Sequence, residues 1–461
     1  MKYILSIFIT LVFTGCGGGT SVGNNSNKSK IEVSAALQNN VQEEKKEKYL
    51  TVYIHGYAKD GHKKEGVFGE SEHDSELDQI VEISGYSTLE DYDKENFEHI
   101  VAMTEYYGDS MPSYYSAQDI KEVTNIEEGI PKYALIVSKF IRHTMDITGA
   151  NRVNIVSASM GSLVTRYLIE YNFEDLSGFK EIDSWLSLEG VIRGNVAASD
   201  KALYELVNKT KQGNIDIDKM KYSWVNSKLS SQSPYYNDIR IGFESSTKDN
   251  LSHSALSYWL RVKGKYSPND GTQLVKDTMF TGDKFTHTYF HENHLSIKNN
   301  RAAWAFATTF LFSKKRVKIT LLDSDIDNLH EKSYWFYKNP AEIVFGSSVY
   351  SMAAESQFSF DGAIDTRSFS GRNLPLFKYK KRGNKTLNQI LFDSYILNSE
   401  DTLTLSLTPY EIDLESDYGV YEPSKHNKES LGKESVDLPL QNGIYEIGSH
   451  EWSARVKLEI L

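Results

Sequence analysis

The sequence predicts an α/β domain built on a mostly parallel sheet with flanking helices, followed by an antiparallel β-sandwich. Three observations carry this. Between residues 49 and 313, short β-rich runs alternate with stretches at helical spacing, the signature of a parallel sheet. Within that region Arg152-Val153-Asn154-Ile155-Val156 passes through a turn of small residues straight into an amphipathic helix. Beyond Ser313 helical spacing disappears and alternating apolar runs replace it.

With 461 residues the chain has room for two or three domains. Hydrophobic residues make up 39% and aromatics 12%, enough for real cores, which excludes a wholly disordered chain. The net charge of −12 and the absence of a long basic stripe argue against a nucleic-acid partner, whose phosphates must be met by cations. The short run Lys378 to Arg382 reads as a solvated turn. A single cysteine, Cys16, rules out an intramolecular disulfide.

The chain opens with Lys2 and a short apolar stretch, Tyr3 to Phe13, too short to span a bilayer as a helix. A charged start, a short apolar run and small residues at its end form a secretion signal. Its end, Phe13-Thr14-Gly15-Cys16, resembles the lipobox of bacterial lipoproteins, in which the peptide is cut before a cysteine that is then lipidated. Phe13 stands where leucine is usual, and an ordinary signal peptide with a chance cysteine is the alternative. Gly17-Gly18-Gly19 and the polar and charged residues up to Lys48 suit a flexible tether. These features divide the chain into a signal (1–16), a linker (17–47), the α/β domain (48–315) and the sandwich (316–461). They place the mature protein in a bacterial cell envelope, anchored to a membrane by lipid without spanning it.

In the α/β domain, Leu50 to Ile54 is a strand that runs into His55-Gly56-Tyr57, and Ile100 to Thr104 is a second one. Apolar residues at 133, 136, 137, 140, 141 and 145 trace one helical face that stops at Gly149. Arg152 to Val156 is a strand, Ser157-Ala158-Ser159-Met160-Gly161 the small-residue turn, and Leu163, Val164, Tyr167 and Leu168 one face of the next helix. A serine centred on such a turn is a candidate nucleophile. The tight bend lifts its hydroxyl out of the sheet and aims the next backbone N–H groups and the helix N-terminus at a developing oxyanion. The usual pattern is G-x-S-x-G, and here Ser157 replaces the first glycine.

At this point residues from about 49 to about 313 resemble the α/β-hydrolase superfamily, on the side of bacterial triacylglycerol lipases and esterases. The resemblance implies Ser159 as nucleophile, with the N–H groups of Tyr57 and Met160 as the oxyanion hole. His55, Gly56 and Gly161 would support the turns. Trp185 to Val191 resembles the strand after the nucleophile helix, although Glu189-Gly190-Val191-Ile192-Arg193-Gly194 stands where the family often has G-T-P-H-x-G. The order of the triad in this fold, Ser then acid then His, directs attention to Asn269-Asp270-Gly271 for the acid and to Glu292-Asn293-His294-Leu295 for the base. Asp270 and His294 are the expected partners of Ser159. Asp277 and Asp283 are alternatives for the acid, and Asn269-Asp270-Gly271 also reads as a plain turn. His287 and His291 form the spacing of a metal pair, but the segment is one residue short of H-E-x-x-H, and no metal is expected in this domain. Residues from about 195 to about 235 are helical in tendency, and the resemblance makes them a cap or lid. The aromatic segment Tyr106 to Tyr115 suits either core packing or the lining of a pocket.

In the C-terminal region Val317 to Leu322, Ala341 to Phe345, Gln357 to Phe360, Thr402 to Leu407 and Arg455 to Ile460 read as strands. Tyr410 to Asp417 with Val436-Asp437-Leu438 faintly resembles the later half of a C2 domain. That makes Asp413 and Asp417, with Asp323 and Asp325 as a facing loop, candidate calcium ligands, against a reading as solvated acidic turns. The resulting expectation is a membrane-anchored hydrolase of lipid or other ester substrates that needs no cofactor. An amidase, and a non-catalytic binding protein on the same scaffold, stand as alternatives.

Overall fold

The computed structural model describes residues 46–58, 61–207, 214–246, 260, 269–282, 284–290, 292–327, 341–351, 356–360, 377–379, 382–412 and 428–461. The signal and Cys16, nearly all of the linker, Asp283, His291, Asp413 and Asp417 lie outside them. Glu47–Leu461 forms one compact unit.

Among the described residues eight strands build the first sheet: β1 (Tyr49–Ile54), β2 (Ser71–Glu72), β3 (Ser87–Thr88), β4 (His99–Thr104), β5 (Arg152–Ala158), β6 (Ile182–Leu188), β7 (Arg240–Ser246) and β8 (Thr286–Phe290). Their order is β2-β4-β1-β5-β6-β7-β8, with β3 beside β4. All pairs are parallel except β2 with β4. The chain moves outward from β1 to β4 and then crosses back to β5, so the order reverses beside β1. Ligands of open α/β sheets bind at such a switch point, beyond the carboxyl ends of the strands. Here Ile54 lies opposite Ser157 in the register of β1 and β5, which brings His55-Gly56 and Ser159 to one edge.

The sheet is covered on both faces, which is why β1 and β5 read as unbroken apolar runs. Alternate residues face opposite ways. Leu50, Val52, Ile54, Val153 and Ile155 pack with the helices Ile130–Thr148 and Met160–Glu170. Tyr53, Val156 and Ala158 pack with Leu77 and Ile80 of the helix Ser75–Ser84 and with Trp304, Ala307 and Phe310 of the helix Arg301–Phe312. This is the architecture of an α/β-hydrolase fold.

The remaining strands are β9 (Lys315–Ile326), β10 (Ala341–Ser351), β11 (Ser356–Phe360), β12 (Phe377–Tyr379), β13 (Gly383–Ile396), β14 (Thr402–Ile412), β15 (Lys428–Ser430), β16 (Glu434–Pro439), β17 (Gly443–Gly448) and β18 (Trp452–Ile460). They form two antiparallel sheets, one of order β13-β9-β18-β17, the other running β11-β10-β14-β15 with β12 on β10 and β16 on β14. Inner residues of both sheets, such as Val317, Ile319, Leu321, Leu403, Leu405 and Val456, share one core. That core also takes in Phe290, Ile297, Ala303 and Phe306, so the sandwich is packed onto the end of β8 and the last helix.

Trp304 is fully buried and meets the Tyr53 ring edge-on, with centroids 5.7 Å apart. Trp304→Ala is expected to lower unfolding free energy by roughly 3–5 kcal/mol, the range for deleting a buried aromatic, measured by urea denaturation.

Candidate active site

Ser159 sits between β5 and the following helix with φ 51° and ψ −122°, a conformation that costs a non-glycine residue energy and persists only when its surroundings enforce it. They do so here. The Ser159 amide donates to the Leu188 carbonyl at 2.9 Å, and the Val191 amide to the Ser159 carbonyl at 2.9 Å. Gly161 lies so close to the carbonyl oxygens of Ile54 and His55 that any Cβ there would collide with them. Ser157, standing where glycine is usual, is buried and bonded. Trp185 Nε1 donates to Ser157 Oγ at 2.8 Å, and Ser157 Oγ donates to Ser162 Oγ at 3.1 Å. Ser187 Oγ also donates to Ser162 Oγ, at 2.9 Å, so the elbow stands on a knot of hydroxyls.

The turn after β1 abuts Ser159, since a Cβ built on Gly56 would lie 2.9 Å from Ser159 Cβ. Tyr106 fixes this turn. Its ring stacks on His55 at 4.1 Å between centroids, and its hydroxyl reaches the carbonyls of His55 and Gly56, each at 2.9 Å. Glu105 holds His55 Nε2 at 3.0 Å and Lys64 Nζ at 2.5 Å. Burial works against the charge on Glu105, but His55, Lys64 and the Tyr107 amide outweigh it and hold the carboxyl down at about 2. The aromatic segment is thus core that braces the turn: Tyr106 and Tyr107 are both buried. The helical insertion is fastened to the same place. Buried Asp216 accepts from Tyr133 Oη at 2.9 Å, and Asn214 Nδ2 donates to Tyr57 Oη at 2.9 Å.

Asp270 and His294 come to Ser159 from two loops. Asp270 Oδ1 accepts the amides of Thr272 and Gln273, both at 2.7 Å, in the turn that Asn269-Asp270-Gly271 suggests. That orientation frees Oδ2 to meet His294 Nδ1 at 2.7 Å. The His294 amide donates to the Asp270 carbonyl at 2.8 Å, which ties the two loops together. Asn293 Oδ1 accepts the amides of Leu295 and Ser296, each at 3.0 Å, and shapes the loop that presents the ring. His294 Nε2 then lies 3.0 Å from Ser159 Oγ. Hydroxyl, imidazole and carboxylate form a continuous hydrogen-bonded chain, an arrangement able to take a proton from the serine.

The sequence reading missed Glu189. It follows β6, is buried, and places Oε2 3.0 Å from His294 Nδ1. The available signal was position: an acidic residue just past the carboxyl end of a parallel strand. Burial opposes a charge on His294, but Asp270 and Glu189 together hold its imidazole above the usual range. Glu189, Asp270 and His294 offer ligand atoms close enough for a metal, but His294 Nδ1 is committed to Asp270 and Nε2 to Ser159. A second acidic group, Asp119, Glu122 and Glu174, converges instead on Lys139 Nζ at 2.5, 2.8 and 2.8 Å.

Other candidates fall elsewhere. Asp277 accepts from Tyr222 Oη at 2.5 Å, so it serves the insertion, not His294. His287 is buried on β8 with Nε2 at 2.8 Å from the Phe280 carbonyl. The expected loop at Asp323 and Asp325 is strand. The alternation of Val317, Ile319 and Leu321 carries β9 through to Ile326, and Arg455 neutralises Asp323 with Nε 3.0 Å from Oδ1.

No protein-family model matches the chain, and no curated protein does. Among solved structures it is similar to the mature form of the Bacillus licheniformis lipase BlEst2, at 14% identity over 55% of this chain and 88% of that one, with a TM-score of 0.36. The propeptide form of the same lipase aligns at 11% identity over 88% of this chain and 96% of that one, with a TM-score of 0.38. Phospholipase PlaB from Legionella pneumophila aligns at 11% identity over 80% and 87%, with a TM-score of 0.37. At these TM-scores none bears on which reaction the site performs.

Two outcomes test the geometry. Gly161→Ala drives a methyl group into two carbonyl oxygens and is expected to cost about 1–3 kcal/mol of stability, as overpacking does, read from denaturant midpoints. Glu105 has a folded-state pKa below its unfolded value, so its stabilisation is present above about 4.5 and is lost as pH falls toward about 2. Glu105→Gln should therefore lower the melting temperature at neutral pH, and the gap from wild type should close in acid.

Proposed function

We propose that the protein is a serine hydrolase that cleaves carboxylic esters, a lipase or esterase, through an acyl-enzyme. The observation that carries this is the double contact of one imidazole: His294 Nε2 is 3.0 Å from Ser159 Oγ and Nδ1 is 2.7 Å from Asp270 Oδ2. Ser159 Oγ attacks the ester carbonyl while its proton passes to His294 Nε2. The oxyanion lies against the N–H groups of Tyr57 and Met160, where the N-terminus of the helix Met160–Glu170 adds partial positive charge. Imidazolium returns the proton to the leaving alkoxide, and the acyl group stays on Ser159. A water then gives a proton to His294 and its oxygen to the acyl carbon, and the acid departs as Ser159 regains its hydrogen. No cofactor enters these steps.

The lipobox-like Phe13-Thr14-Gly15-Cys16 supports a mature chain tethered by lipid to a bacterial envelope membrane, where lipid esters are the nearest substrates. Cys16→Ser is expected to move the protein from the membrane fraction to the soluble one.

A chain-length series of p-nitrophenyl esters tests the reaction. Wild type should turn over at least one member, and Ser159→Ala and His294→Ala should lose on the order of 10⁴–10⁶-fold in kcat. A fluorophosphonate probe should label wild type and not Ser159→Ala. Equal turnover by the variants, or none by wild type on any chain length, would leave a non-catalytic scaffold. Because His294 must be neutral to act as base and its pKa is raised, kcat/KM should fall on the acid side with an apparent pKa above 6.5.

A further inference from the structure

Two carboxylates, not one, stand at the Nδ1 side of His294. Asp270 Oδ2 is 2.7 Å away and accepts the hydrogen bond. Glu189 Oε2 is 3.0 Å away, yet neither of its carboxyl oxygens is hydrogen-bonded. A neutral imidazole has only one N–H at this end, and Asp270 takes it.

Glu189 is placed there with care. Its backbone is left-handed, with φ 47°, unusual outside glycine. Its amide donates to the Glu244 carbonyl at 2.8 Å, and its carbonyl accepts from Gln273 Nε2. The strain and both clamps turn the side chain inward, where it is 2% exposed. An unbonded carboxyl so deeply buried is costly unless it has work to do.

The surroundings decide its charge. Glu189 faces His294, Asp270 and Ser246, with the carboxyl of Glu244 on β7 close behind. Asp270 and Glu189 share one imidazole, Glu244 is buried beside Glu189, and like charges packed so closely disfavour ionisation of all three. Burial pushes Glu189 up, more than His294 pulls it down, and burial with Glu189 as neighbour pushes Glu244 up as well. Asp270 has two amide donors on Oδ1 and neither carboxyl oxygen of Glu189 has one, so the pressure to hold a proton falls on Glu189. With both Asp270 and Glu189 ionised, His294 would be held as imidazolium and could not accept the serine proton.

We propose that Glu189 is a second positioning residue of the site: a reserve carboxylate that shares the Nδ1 side of His294 with Asp270 and takes over its orienting contact when Asp270 is lost. The inference rests on the ester-hydrolase reading for its kinetic test but not for its spectroscopic one. In wild type burial holds a proton on Glu189 up to about 7, and the fraction that ionises adds to the basicity of His294. Without Asp270, an ionised Glu189 is the one carboxylate in reach to receive the Nδ1–H among the described residues.

The test compares wild type, Asp270→Asn, Glu189→Gln and the double variant on p-nitrophenyl butyrate across pH, with thermal melts as a folding control. Asp270→Asn is expected to lose at most about a hundredfold in kcat/KM, and the double variant the roughly ten-thousand-fold that follows loss of the orienting acid in a triad enzyme. The residual activity of Asp270→Asn should climb with pH through an ionisation that the double variant lacks. Glu189→Gln should shift the acid limb of wild type to lower pH, since a negative neighbour of His294 is gone. A purely structural role for Glu189 would move the melts and leave the pH profiles alone. Equal losses in Asp270→Asn and the double variant at every pH, or an unshifted profile in Glu189→Gln, would overturn the proposal.

If the Glu189→Gln variants do not fold, Asp270→Asn still decides. It should keep a far-downfield proton NMR signal from the His294 Nδ1–H, and loss of that signal overturns the proposal. Absence of ester turnover in wild type would sink the ester-hydrolase reading, while the NMR signal would still report on Glu189.

Discussion

Everything at the carboxyl edge of the sheet depends on the left-handed backbone at Ser159. That conformation exists because β1 and the elbow are in direct contact, with room only for hydrogen at Gly161. It sets the direction of the hydroxyl, and it puts Ser159 at the N-terminal end of the helix that begins at Met160. The strain is repaid by the sheet: Leu188 on β6 and Val191 beyond it bond the amide and carbonyl of Ser159. A displacement at β1, β5 or β6 is therefore a displacement of the Ser159 hydroxyl.

The imidazole of His294 is held by a different part of the molecule. His294 lies between β8 and the last helix, and both of these bury apolar surface against the sandwich through Phe290, Ile297, Ala303 and Phe306. Arg240 of β7 reinforces the junction by donating to the carbonyls of Phe310 and Ser313 at 3.0 and 2.6 Å. The sandwich thus supports the loop from behind. Whatever else it does, it belongs to the mechanical frame of the site.

Much of this was legible in the chain, for reasons that differ by element. The buried strands β1 and β5 and the helix Ile130–Thr148 announce themselves by apolar periodicity, and the elbow by its run of small residues. The meeting of Asp270 and His294 with Ser159 was anticipated from the order of residues that the family resemblance implies and from short local motifs. β13 was not recognised, because register shifts between Thr386 and Gln389 and between Ile390 and Phe392 break its alternation, with Asn388 at φ 51°. Asp323 and Asp325 looked like a loop because acidic residues alternate with others there, but their pairing with β13 and β18 keeps them in strand. Glu189 was read only as a departure from a family pattern. No local signal tells which way a carboxyl after a strand will turn, since a loop more than a hundred residues later supplies its neighbour.

The serine that replaces glycine at the head of the elbow changes what a consensus sequence means for this chain. Ser157 Oγ is both acceptor for an indole and donor to a hydroxyl, inside a space with no water-facing side. Restoring glycine would make the motif more orthodox and take from the buried Trp185 N–H the hydroxyl that accepts its hydrogen bond. Conformity to a pattern and fitness of a sequence part company here, because the departure was matched by its neighbours.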